Sequence, residues 1–252
     1  MKKNLLAVAV AVAAFGATNA NAYVTFFGED LNSSATVPLA STPNASAAET
    51  AFKSSLTGVG TETFETQTPG ATTPLALTFP GAGIATLNGG GSVETVTPGS
   101  TNSVGRYSIP SASSSNFWEA NATGGLFTIN FSQAIAAFGF YGIDIGDFGG
   151  ALSLTLTNGT ILDVGNTEGS SSSTDGSVLF YGLIAAAGEE FTSVSFNSSA
   201  SSDFFGFDNF TIGTRAQVCT GPNCGSIPEP ATLGLLGLGL IGLAAARRRK
   251  TV

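Results

Sequence analysis

The sequence predicts an all-β protein: an antiparallel β-sandwich of the jelly-roll kind with one short helix, followed by a C-terminal transmembrane helix. Three observations carry that reading. Apolar and polar residues alternate at a period of two in several short stretches, joints rich in Gly, Ser and Asn recur between them, and only one stretch of the body has helical spacing behind a capping pattern. Alternation is what a sheet with one buried and one wet face requires, because successive side chains point to opposite faces.

The chain opens with Met1-Lys2-Lys3, the apolar run Leu5–Phe15 and Ala20-Asn21-Ala22. Basic, apolar and small-residue parts in that order form a secretory signal peptide over residues 1–22, with signal peptidase expected to cut after Ala22. The β-sandwich domain is expected over 23–214 and starts with a strand at Tyr23–Gly28. Ser46-Ala47-Ala48-Glu49 reads as a capping box, Ala51, Phe52 and Leu56 follow at helical spacing, and Gly58 and Gly60 end that helix.

Further strands are expected at Leu75–Phe79, Ile84–Leu87, Val93–Thr97, Phe127–Phe131, Ile135–Ile143, Leu152–Leu156, Thr160–Val164, Val178–Ile184, Phe191–Phe196 and Phe204–Ile212. Asn158-Gly159 joins two of them, since both residues tolerate the positive φ of a type I′ hairpin turn. Asn166–Ser177 and Asn197–Ser202 are too polar to pack and are expected as exposed loops. Aromatic–glycine steps recur at Phe27-Gly28, Phe138-Gly139-Phe140, Tyr181-Gly182 and Phe205-Gly206-Phe207. The rings are expected to fill the space between two sheets while the glycines admit close backbone approach. The other use of aromatic residues is a glycan-binding platform, for which Trp118, near Phe117 and Tyr107, is the candidate.

A linker over 215–226 carries Cys219 and Cys224, separated by Thr-Gly-Pro-Asn. In an exported chain this spacing is expected to close a small disulfide loop. Residues 227–252 then run Ile227-Pro228-Glu229-Pro230, an uncharged apolar stretch from Ala231 to Ala246, and Arg247-Arg248-Arg249-Lys250. Those 16 apolar residues reach about 24 Å as a helix, against a hydrocarbon core of about 30 Å, a marginal span that flanking basic residues complete by snorkelling. The basic cluster places the carboxyl end in the cytoplasm and the body outside.

Pro228-Glu229-Pro230, the apolar segment and the arginines in this order resemble the PEP-CTERM sorting signal of Gram-negative bacteria. Ile227 stands where that family more often has valine. The resemblance implies an exosortase as processing partner and a transient anchor in the inner membrane. It also implies cleavage near Pro228-Glu229-Pro230, with delivery to the cell surface or extracellular space. The body, through Phe27–Asn32, Gly58–Glu65, Ala137–Gly142 with Asp144, Asp147–Gly150 and Phe205–Asn209, resembles exported β-sandwich proteins that carry this tail. That group has no settled activity, so the likeness bears on fold alone.

Charge and composition limit function. Between Tyr23 and Ile227 only Lys53, Arg106 and Arg215 oppose sixteen acids, a net charge of −13. No basic footprint exists for nucleic acid. The chain has no histidine, so a Ser-His-Asp or Cys-His arrangement is impossible, and the two cysteines would need further soft ligands to make a structural zinc site. Gly89-Gly90-Gly91 lacks the Lys-Ser/Thr that follows a phosphate-binding loop.

The acids are expected to hold calcium, which takes several hard oxygen ligands. Glu29, Asp30 and Asn32 end the first strand and Asp208 and Asn209 lie in the last, so adjacency of the chain ends would join five donors. Asp144 and Asp147 form a second candidate set, with Gly146 and Gly149 letting the backbone curve round an ion. The leading expectation is thus an exported, non-catalytic surface or matrix protein that binds exopolysaccharide or calcium. The alternative is a carbohydrate-active enzyme, a glycoside hydrolase using Asp144 with Asp147 or Glu189 with Glu190.

Overall fold

The structure, a computed structural model, describes residues 23–122, 126–199 and 203–219. In chain order the elements are β1 (Tyr23–Asp30), α1 (Pro43–Ser54), β2 (Thr61–Glu62), β3 (Leu75–Phe79), β4 (Gly83–Gly89), β5 (Ser92–Thr95) and β6 (Asn116–Asn121). There follow β7 (Phe127–Ile135), β8 (Ala137–Ile143), β9 (Leu152–Leu156), β10 (Ile161–Asp163), β11 (Val178–Ala185), β12 (Phe191–Ser198) and β13 (Phe204–Gly213). One seven-stranded sheet has the order β1-β11-β8-β13-β6-β5, with β2 also on β13, and a six-stranded sheet has the order β10-β9-β12-β7-β4-β3. Neighbours in both sheets run antiparallel. The expected antiparallel sandwich with one short helix is the fold of the body.

The main core lies between the sheets and is dense in phenylalanine: Phe127, Phe138, Phe140, Phe196, Phe207 and Phe210 pack there, and Phe127 stacks on Phe196 at 4.3 Å between ring centroids. Edge and stacked ring pairs add to the area they bury. A second core covers the outer face of the seven-stranded sheet, where α1 presents Ala45, Ala48 and Phe52 to Phe26, Tyr141, Phe180 and Ile184. The aromatic–glycine steps explain that docking. Gly139 and Gly182 face each other across β8 and β11, and a Cβ on either would lie 2.7–2.8 Å from the Phe52 ring. The paired glycines form the hollow that receives Phe52.

Burial on both faces accounts for where the local pattern departs from expectation. β8 and β11 are buried throughout, so they read as continuous apolar runs, as doubly covered strands do. The expected strand Ile135–Ile143 is two elements: β7 ends at Ile135, and β8 starts at Ala137 in the other sheet.

The helix begins three residues earlier than Ser46, with Pro43 in its first turn and no side-chain cap from Thr42, so the capping box does not form. Pro supplies a pre-set φ there and loses no needed donor. Ser55, not a glycine, caps its C-terminus. The β9–β10 hairpin forms, but only Gly159, at φ 83°, has positive φ in its turn, and Leu156 N–H donates to Thr160 O. This is the three-residue hairpin with a left-handed glycine and not type I′. Residues 1–22, Cys224 and the 227–252 tail lie outside the described residues. Among those described no helix is long and apolar enough to cross a membrane.

Candidate functional site

The strand order of the larger sheet makes a cluster of acids. β8 runs antiparallel to both β11 and β13, with Ile143 opposite Val178 on one side and Gly206 on the other. The end of β8 therefore meets the starts of its two neighbours. Asp144 and Asp147 follow β8, Asp175 lies just before β11, and Asp203 just before β13. Three chain segments remote in sequence deliver four carboxylates to one end of the sandwich. Ligand oxygens of Asp144, Asp147 and Asp175 all lie within 4.8 Å of one another.

Asp144 forms the floor. Its Oδ1 accepts the Gly176 N–H at 2.7 Å and its Oδ2 accepts Arg106 Nη1 at 3.1 Å. Arg106 is shared: its Nε donates to Glu119 Oε2 at 2.6 Å, its Nη1 also to Val104 O, and its guanidinium lies 5.5 Å over the Phe204 ring. Glu119 and Asp144 together thus already exceed the charge of Arg106 by one. Asp147, Asp175 and Asp203 make no ion pair among the described residues. Asp147 and Asp203 are 4% and 8% exposed, and Oδ1 of Asp147 and Oδ2 of Asp203 have no hydrogen-bond partner. A buried carboxylate oxygen without a donor costs the desolvation of that group.

The electrostatics follow from that excess of negative charge. Burial pushes Asp144 up to about 8, with the charges of Asp147 and Asp175 adding to it while the Gly176 N–H and Arg106 oppose it. Burial also pushes Asp147 up to about 7, helped by the facing carboxyl of Asp203 and the charge of Asp175. Asp203 is raised by burial, while the facing Asp147 carboxyl, when it carries a proton to donate, and the Phe204 N–H act to lower it. Acids that resist ionisation when alone accept it readily around a divalent cation. All donors are hard oxygens, which suit calcium or magnesium in place of soft metals. The backbone is shaped to the cluster: Asp144, Gly146 and Phe148 have φ of 65°, 106° and 55°. A Cβ on Gly105 would strike oxygens of Asp144 and Asp175 at 2.3 and 2.5 Å.

Over the acids lies a pocket of about 270 Å³, lined by Arg106, Asp147, Asp175 and Asp203 and rimmed by Val104, Phe148 and Phe204. Asp175 and Asp203 belong to or border the two stretches read from sequence as exposed loops. Only the strand order, which alternation does not supply, shows that they converge on Asp144 and Asp147.

The chain-end set is not brought together, because β11 and β8 separate β1 from β13. Each member has another job. The Asp30 carboxylate accepts the N–H groups of Asn44 and Ala45, so it caps the start of α1 from a neighbouring strand. Glu29 holds the N–H and hydroxyl of Thr167, and Asn32 bridges Ser177, Val37 and Ser33. Asp208 is fully buried, accepts from Ser108 Oγ and Ile109 N–H at 2.8 Å, and is pushed well above its ordinary value by burial. Asn209 reaches Ile109 O.

Trp118 is fully buried in β6, stacked on Phe64 and edge-on to Phe127, with Phe117 and Tyr107 buried as well. It is part of the core and offers no platform to a glycan. Glu189 and Glu190 sit together in the turn between β11 and β12. Cys219 is held in a disulfide.

An acidic loop-end site on an antiparallel sandwich defines this body. Beyond it, residues 226–250 match the PEP-CTERM protein-sorting motif, which covers Pro228, Glu229, Pro230, Arg247, Arg248 and Arg249. The motif marks an exported, surface-sorted protein and implies processing by an exosortase. The crystal structure of the K2 cleaved adhesin domain of Lys-gingipain (Kgp) is similar over 62% of this chain and 98% of that one, with 15% identity and a TM-score of 0.35. At that score the likeness does not define a shared fold. No curated protein matches the sequence.

Proposed function

We propose that this chain is a non-catalytic surface protein of a Gram-negative cell whose sandwich holds a calcium ion between Asp144, Asp147, Asp175 and Asp203. A signal peptide over 1–22 and the 227–252 tail, with its transient inner-membrane anchor, deliver it. The observation that carries the reading is the pair of buried, facing carboxylates of Asp147 and Asp203, whose Oδ1 and Oδ2 respectively receive no N–H or hydroxyl and which no cationic side chain pairs. Four carboxylates supply part of a calcium shell of six to eight oxygens, and water or a ligand takes the rest. The acids gather at one loop end, which favours a binding module over the hydrolase reading, whose two acids would face each other across a sugar. Titration calorimetry on chelator-stripped protein tests it: one calcium per chain is expected, lost in Asp147→Asn/Asp203→Asn. Absence of binding at millimolar calcium overturns the reading.

A further inference from the structure

The rim of the acidic pocket poses a separate question. Phe148 is 71% exposed, the most exposed of the described large apolar residues, and holds left-handed backbone at φ 55°, ψ 21°. That conformation costs an L-residue other than Gly roughly 1–2 kcal/mol, and a solvated ring recovers little of it by burial. Glycine follows directly at Gly149, yet the strained position itself carries a large aromatic ring. Phe204 and Val104, 41% and 49% exposed, line the same pocket, with the Phe204 ring held over Arg106. Apolar faces thus stand around a floor of carboxylates.

We infer that this pocket binds a neutral carbohydrate, one sugar residue of which places two vicinal hydroxyls on the cation held by the four aspartates and lays its C–H face on Phe148. The inference rests on the calcium reading. Charge selects the ligand. With a divalent ion in place, Asp144, Asp147, Asp175, Asp203 and Glu119 still outweigh that ion and Arg106 by two negative charges, and the body as a whole stands at −13. Phosphate, uronate and anionic lipid are therefore repelled, whereas hydroxyls complete an oxygen shell without adding charge. The volume of about 270 Å³ is near the lower end of small-ligand sites, the size of a single sugar and not of a long groove. An aromatic face beside fixed polar groups orients a ligand that is apolar on one side and polar on the other.

The test uses the full chain loaded with calcium, and galactomannan, yeast-type mannan and arabinogalactan as immobilised neutral polymers, with alginate as the acidic comparison. Retention on at least one neutral polymer is expected, abolished by chelator and restored by calcium. Phe148→Ala is expected to weaken it about tenfold, Phe148→Tyr to retain it, and calcium affinity measured without glycan to stay unchanged in both. Calcium binding with no retention on any neutral polymer overturns the carbohydrate inference and leaves the cation site standing. Retention that ignores calcium or Phe148→Ala, or that favours alginate, also overturns it. Absence of calcium binding removes both readings together.

Discussion

Asp147→Asn separates a cation site from an acid that is merely buried. Ligand oxygens of Asp144, Asp147 and Asp175 lie within 4.8 Å of one another. At an effective dielectric constant of about 20, two unit charges at that distance repel by about 3.5 kcal/mol. Partial protonation caps the cost, consistent with Asp147 being pushed up to about 7. At pH 8 in chelator, Asp147→Asn should therefore be more stable than the natural protein by about 1–3 kcal/mol, raising Tm by several degrees for a chain of this size. Calcium at a hundredfold excess over Kd stabilises the natural protein by about 2.7 kcal/mol. A hundredfold loss of affinity in the variant cuts that gain to about 0.4 kcal/mol at the same calcium concentration. Thermal melts with chelator and with calcium read both effects. A variant that is less stable in chelator, or that gains as much from calcium as the natural protein, refutes the reasoning.

Three further outcomes check other parts of the account. Phe148→Gly relieves left-handed strain on an exposed residue and should stabilise the fold by about 1 kcal/mol in urea melts while losing carbohydrate retention. Gly28→Ala places a Cβ 2.2 Å from Asn44 O; because backbone must move, the midpoint of urea unfolding should fall by an amount equivalent to about 1–3 kcal/mol. Asp208, raised well above its ordinary value by burial, binds a proton more tightly folded than unfolded. Its contribution is present below the unfolded value near 4 and is lost as pH rises toward the folded value. Unfolding free energy measured across pH 4–8 in chelator should thus slope downward less steeply in Asp208→Asn than in the natural protein.

How far the sequence reveals this molecule depends on what covers each strand. β7 and β9 carry one wet face, and their alternation at Phe127–Phe131 and Leu152–Leu156 is plain. β6 was not foreseen: Asn116, Phe117 and Trp118 are all buried, so no alternation marks it, and its tryptophan reads as a binding platform when it is core. The second covered face, made by α1 and the β5–β6 connection, has no signature except the recurring glycines. Half of the acidic site was legible, because Asp144 and Asp147 lie in one glycine-bearing turn. Asp175 and Asp203 join them only through the antiparallel pairing of β8 with β11 and β13, a long-range fact that polar loop composition hides. The chain-end set failed for the same reason, since strand order puts two strands between β1 and β13.

The most direct measurement is diffraction from crystals of the calcium-soaked chain, collected where calcium scatters anomalously. The account expects one anomalous peak at about 2.3–2.6 Å from oxygens of Asp147 and Asp203, with Asp144 and Asp175 in the same shell. A structure without a peak there at millimolar calcium, or with the ion beside Glu29 and Asp30 instead, would contradict it.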